Sequence, residues 1–133
     1  MKLQISTDYA VRILQCLYSS QGQTLTATEI ADSTGITYPF FIKIANQLRK
    51  KGLLSSIQGR KGGYLLGKPA GEISLYDVFL CIEGELQFSC CLKRGKPCLQ
   101  GEESVCKLHD FLYGLQRKVI EEMSEWSIAD LVS

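Results

Sequence analysis

The chain has 133 residues, six cysteines, one histidine and a formal net charge of +1. That length suits one domain, or one domain with an appendage, and allows about 68% of the unfolded surface to be buried. A hydrophobic share of 45% beside 22% charged residues excludes wholesale disorder. No apolar run approaches the roughly 18 residues of a membrane span, and the N-terminus lacks the apolar stretch of a signal peptide, so the chain is read as cytoplasmic.

The small net charge conceals an asymmetry. Residues 1–68 carry nine Lys/Arg against three acids, a balance of +6, and residues 69–133 carry six against eleven, a balance of −5. A basic half joined to an acidic half suits one surface for a polyanion and another for a different task; chance asymmetry among solvated charges is the plainer alternative.

In chain order, Ser6 is the expected N-cap of a first helix with Ala10, Val11, Leu14, Leu17 and Tyr18 at helical spacing. Thr26-Ala27-Thr28-Glu29 reads as a capping box opening a short helix with Ile30 and Ala31, which stops before Gly35. Thr37 caps a third helix, with Pro39 tolerated in its first turn and a buried stripe of Phe41, Ile44, Ala45 and Leu48. Two short strands, over residues 53–58 and 64–66, flank the basic loop Gly59-Arg60-Lys61-Gly62-Gly63 and predict a hairpin. Ser74 opens a fourth helix that runs to about Glu83-Gly84, and the glycine- and proline-containing stretch over 85–106 reads as loop. Leu108, Leu112, Leu115, Val119 and Met123 then recur along a long helix, and Ser127 caps a last short turn through Leu131. The expected fold is mainly α with a small β wing: a winged helix-turn-helix over 1–84, a cysteine-rich loop over 85–107, and a dimerisation helix with a C-terminal turn over 108–133.

That order of elements suits double-stranded DNA. The third helix can enter a major groove with its N-terminal residues toward base edges while the hairpin follows the backbone. Thr37, Tyr38 and Pro39 lie at the leading end, Lys43 and Gln47 are four residues apart on the expected exposed face, and Arg60 and Lys61 sit at the hairpin tip. For Tyr38 and Phe40 the competing reading is core packing, and for Arg60 a solvated turn residue.

Cys90, Cys91, Cys98 and Cys106 fall within 17 residues, and His109 follows three residues after the last. In an intracellular chain such a cluster reads as metal or redox chemistry before structural disulfides. Three thiolates and an imidazole suit tetrahedral zinc or an iron–sulfur cluster, and the absence of a C-x2-C knuckle favours the cluster. Lys93, Arg94, Lys96 and Lys107 would favour thiolates and balance an anionic cluster. Free cysteines in a loop are the alternative there. Cys16 and Cys81, within helices, read as small core hydrophobes.

Together these segments resemble the IscR/NsrR-type family of bacterial winged-helix iron–sulfur transcription regulators over nearly the whole chain. The resemblance rests on Thr7-Asp8-Tyr9-Ala10-Val11-Arg12, Leu48-Arg49-Lys50-Lys51-Gly52-Leu53, Gly62-Gly63-Tyr64-Leu65-Leu66, Ile73-Ser74-Leu75-Tyr76-Asp77-Val78, the three-cysteine loop and Ser127-Ile128-Ala129-Asp130-Leu131. It implies a homodimer built on the long helix, a 2Fe–2S or 4Fe–4S cluster in each subunit, and an effector-dependent grip on palindromic DNA. It also implies Cys91, Cys98 and Cys106 as ligands, with Cys90 as a substitute or redox partner of Cys91. The fourth ligand varies by branch: His109 matches one, and Asp8, donated by the partner subunit, matches the nitric-oxide-sensing branch. Asp8 equally suits the first turn of a helix as an acid on the helix dipole. The family often has arginine where this wing has Gln58, and Arg60-Lys61 replace uncharged residues, so its preferred DNA sequence does not transfer.

Two other functions compete. A regulator without a cluster would use zinc, or thiols alone with no cofactor. An enzyme such as a thiol oxidoreductase is disfavoured, because no C-x-x-C motif and no phosphate-binding glycine loop is present.

Overall fold

The computed structural model describes residues 3–88 and 107–132. Their regular structure is α1 (Ile5–Ser19), α2 (Ala27–Thr34), α3 (Tyr38–Lys50), β1 (Leu54–Ile57), β2 (Gly63–Leu66), α4 (Leu75–Glu83) and α5 (Lys107–Glu125), with 3-10 turns at Ala70–Glu72 and Ala129–Leu131. This is the expected architecture, mainly helical with a two-stranded wing.

The start of α1 differs from expectation. Gln4, not Ser6, occupies the N-cap position, and no side chain of its own caps the helix. Instead the Glu83 carboxylate, at the far end of α4, accepts the Thr7 hydroxyl at 2.5 Å and the Gln4 backbone N–H at 3.4 Å. A negative charge suits the positive end of the helix dipole, and the bond satisfies a buried hydroxyl, Thr7 being only 2% exposed. The buried face holds Thr7, Ala10, Ile13, Leu14 and Leu17. It is turned toward Ile13 relative to the expected stripe, leaving Val11 half-buried and Tyr18 exposed.

α2 starts where the sequence indicates, with the Thr26 hydroxyl accepting the Glu29 backbone N–H at 3.1 Å. It ends at Gly35, whose φ of +75° lies in the left-handed region that glycine enters without a Cβ penalty. α3 buries the expected stripe, Phe41, Ile44, Ala45 and Leu48. These pack with α1, Ile30, Leu53, Leu54, Ile73 and Val78 into one core.

β1 and β2 pair antiparallel in the register Leu54↔Leu66 through Ile57↔Gly63. Leu25 adds a bridge to Tyr64, with backbone bonds of 2.7 and 3.2 Å. The Tyr64 ring meets Phe41 edge to face at 5.3 Å, fastening the wing to α3.

Ser74 and Asp77 form a full capping box at the start of α4, with bonds of 3.0 and 2.9 Å. No residue of α5 is buried in this chain. Leu112, Val119, Ile120 and Met123 are half-buried, whereas Leu108 and Phe111 stand 62% and 64% exposed, with Leu115 also open. The expected apolar stripe is thus divided between covered and uncovered positions.

After α5 the chain turns back. Ile128 is fully buried in the core, its N–H donates to the Ile73 carbonyl at 2.9 Å, and Leu75 N–H donates to the Trp126 carbonyl at 2.7 Å. Ser127 and Asp130 exchange hydrogen bonds across this last turn, and those from Ser127 hold the Asp130 carboxyl below the ordinary carboxylate value. No helix among the described residues is long and apolar enough to cross a membrane.

Candidate nucleic-acid interface and sensing residues

The orientation of α3 follows from its buried stripe. With Phe41, Ile44, Ala45 and Leu48 inward, the opposite face presents Pro39, Lys43, Asn46 and Lys50, of which all four are exposed. At the leading end Thr37 holds the N-cap position without a side-chain capping bond, Pro39 falls in the first turn, and Tyr38 is 54% exposed. Tyr38 is therefore not a core residue. Phe40 leans inward, its ring meeting Tyr9 edge to face at 5.5 Å, with the Lys43 ammonium 6.0 Å from its centroid.

Gln47 lies elsewhere than its spacing from Lys43 suggests. It is half-buried on the flank toward α4, where its backbone carbonyl accepts the Cys81 thiol at 3.2 Å. The opposite flank, toward the wing, carries Arg49 beside Asn46. Sequence reasoning passed over both. The available signal was spacing: Asn46 follows Lys43 by three residues and Arg49 follows Asn46 by three.

In the wing, Gly62 N–H donates to the Gly59 carbonyl at 3.0 Å, which places Arg60 and Lys61 at the two central positions of a four-residue turn, both exposed. Two glycines are required by this turn. Gly59 has φ +108°, and a Cβ on Gly62 would stand 2.2 Å from the Ile57 carbonyl oxygen. Thr37, Tyr38, Pro39, Lys43, Arg60 and Lys61 thus all lie on exposed surface of α3 or the wing.

Of the expected metal ligands, Cys90, Cys91, Cys98 and Cys106 lie outside the described residues. Asp8 is exposed in the first turn of α1 and pairs with Arg12 one turn on, Oδ2 to Nε at 3.2 Å with both side chains more than half exposed. Such a pair stabilises by at most about 1 kcal/mol. His109, half-buried in the first turn of α5, stacks on the Tyr113 ring at 6.5 Å. Among the described residues no group of three or more His, Cys, Asp or Glu is arranged to hold a metal ion.

The two helical cysteines pack against the core as half-buried apolar groups. Burial raises both thiols above the ordinary value, offset in part by a hydrogen bond with Ser33 for Cys16 and by the Lys51 charge for Cys81.

A model of the Rrf2 family, described as an iron-dependent transcriptional regulator, matches residues 3–133. Protein aau3 of Rhizobium meliloti (strain 1021) is 32% identical over 132 residues, covering 99% of this chain and 85% of that protein. The HTH-type transcriptional regulator IscR of Photorhabdus laumondii is 31% identical over 134 residues, covering 100% and 80%. Among solved structures, CymR, the global cysteine regulator of B. subtilis, superposes with a TM-score of 0.79 at 22% identity, over 98% of this chain and 95% of that one.

Proposed function

The chain belongs to the Rrf2 family of winged-helix transcription regulators, and from that premise we propose that it senses redox state, nitric oxide or iron–sulfur status through an iron–sulfur cluster held by its cysteine loop. As a regulator it binds DNA and is not an enzyme; the sensing chemistry, the homodimer and a palindromic operator are what the proposal adds. The observation that carries it is the donor set: four cysteines within 17 residues, then His109, in a chain matched end to end by an iron-dependent family.

Cys91, Cys98 and Cys106 would hold the group, with Cys90 beside the first of them and Asp8 or His109 as the candidate fourth ligand. A bound cluster would supply iron that reacts with oxidants and with nitric oxide. The chain's own residues provide the route from loop to DNA. α4 ends at Glu83, shortly before the loop, where its carboxylate grips the start of α1. Two residues earlier the Cys81 thiol holds the Gln47 carbonyl of α3. A displacement of the loop that moves α4 therefore reaches both the Asp8 end of α1 and the recognition helix. Two subunits would meet along Leu108, Phe111 and Leu115 of α5, exposed apolar side chains among the described residues.

A second reading is favoured by the close superposition on a cysteine regulator: the loop thiols act through zinc, or with no cofactor at all. Iron and acid-labile sulfide analysis of anaerobically reconstituted protein separates the two. The proposal expects coloured protein with both elements, retained in only one of Asp8→Ala and His109→Ala and lost in Cys91→Ala, Cys98→Ala and Cys106→Ala. Colourless protein, or stoichiometric zinc in its place, contradicts it.

A further inference from the structure

The wing does not lie flat against α3. Between the C-terminal half of the helix and the hairpin runs a polar cleft of about 430 Å3, with Asn46 and Arg49 on the helix wall and Ser56, Gln58 and Gly59 on the wing wall. Its lining contains no carboxylate and one permanent cation, Arg49. Neither ion pair found among the described residues involves that guanidinium. The floor is fixed: Gly62 and Gly63 admit no side chain, because a Cβ would meet the Ile57 and Leu25 carbonyl oxygens at 2.2 and 2.5 Å. Below them the Tyr64 ring is packed on Phe41. The cleft is therefore a notch with a fixed floor, set between the helix that carries Lys43 and the hairpin that carries the Arg60-Lys61 turn.

We propose that this notch seats one phosphodiester of bound duplex DNA, with the Arg49 guanidinium as its cation and Asn46 and Gln58 as neutral donors. The inference rests on DNA binding by α3 and the wing and assigns a site within it. A planar guanidinium presents paired N–H groups matched to two phosphate oxygens, and a cleft without carboxylates does not oppose the anion. The contact sets the helix and the wing in register on one strand. It carries no sequence information itself, since phosphate contacts position and base contacts specify. In this arrangement Arg49 does for the helix–wing junction what Arg60 does for the wing tip.

Fluorescence-anisotropy titrations of the full chain across a salt series, with one short A·T-rich and one short G·C-rich duplex, test the assignment. Arg49→Ala should weaken binding to both duplexes by the same factor and lower the slope of log K against log salt by about 0.9. Arg49→Lys should keep the wild-type slope while losing part of the affinity. Asn46→Ala should weaken both duplexes equally at an unchanged slope. Melting curves should stay at the wild-type position, because Asn46 and Arg49 are both exposed. An Arg49→Ala loss confined to one duplex would make Arg49 a base reader, and wild-type affinity and slope would empty the cleft; either overturns the proposal. Inorganic phosphate replacing chloride at fixed ionic strength should not compete. Competition that Arg49→Ala abolishes would assign the notch to a free anion instead. Arg60→Ala separates the levels: a lowered slope there with none for Arg49→Ala leaves DNA binding standing and removes only the notch. A wild-type chain without salt-dependent affinity for either duplex removes both.

Discussion

Thr7 and Glu83 meet across the seam between α1 and α4, and neither is conspicuous in the sequence. Their bond joins positions 76 residues apart, so no local pattern could announce it; Ser6, the expected N-cap, lies inside the helix, and Gln4 holds that position. The cysteines behave in the opposite way. Their apolar neighbours marked Cys16 and Cys81 as packing residues, and burial raises both thiols above the ordinary value. In Cys91→Ala/Cys98→Ala/Cys106→Ala/Cys90→Ala protein, iodoacetamide at pH 7 should label the remaining two cysteines slowly, and labelling should accelerate on unfolding in urea. Rapid labelling of the folded chain would show that one of them is an exposed thiolate. Gln47 shows the limit of spacing at this scale: four residues from Lys43 is the same face only until the neighbouring helix is known to cover one flank.

Among the elements, the helix-turn-helix and the wing were the most legible. Thr26 and Ser74 mark helix starts by side-chain bonds to the backbone three residues on, Gly35 ends α2 in the left-handed region, and Thr37 holds the N-cap position of α3 without a side-chain bond. The hairpin was visible from the glycine-rich loop over Gly59-Arg60-Lys61-Gly62-Gly63, and the structure narrows its tip to a turn closed by Gly62 N–H on the Gly59 carbonyl. α5 was legible as a helix but not as a surface, because periodicity shows that apolar residues recur and not which neighbour covers them. Among the described residues Leu108 and Phe111 stand largely exposed and Leu115 partly so, and a second copy would cover them. Phe111→Glu should shift the protein from dimer to monomer in sedimentation velocity, since an interfacial charge loses its hydration without a partner. The melting behaviour of the winged domain should change little, because Phe111 takes no part in its core. A Phe111→Glu protein that sediments as the wild type would contradict the proposed dimer contact on α5.

Across the whole molecule, charge is divided along the chain: the +6 half holds α3 and the wing, and the −5 half holds the cysteine-rich segment and α5. The two halves are nevertheless one packed body at their ends. Ile128, from the last turn, is fully buried in the one core that includes α1 and α3, and the Gln15 side-chain amide of α1 donates to the Leu131 carbonyl at 2.9 Å. Sequence pattern gave that turn as a short cap and nothing more, since a lone isoleucine after a helix carries no period. Ile128→Ala should cost about 2–5 kcal/mol of stability in urea unfolding. A change below about 0.5 kcal/mol would mean the turn is only loosely docked.

The central claim is that the state of the cysteine loop sets the grip on DNA. It is tested most directly by selecting duplexes from a random pool with anaerobically reconstituted protein. Affinity for the enriched duplex is then measured before and after iron is removed by a chelator. The account predicts an affinity change of about tenfold or more, a coupling of roughly 1.4 kcal/mol, that disappears when Cys98 is replaced by alanine. Equal affinity in the loaded and stripped states would contradict it.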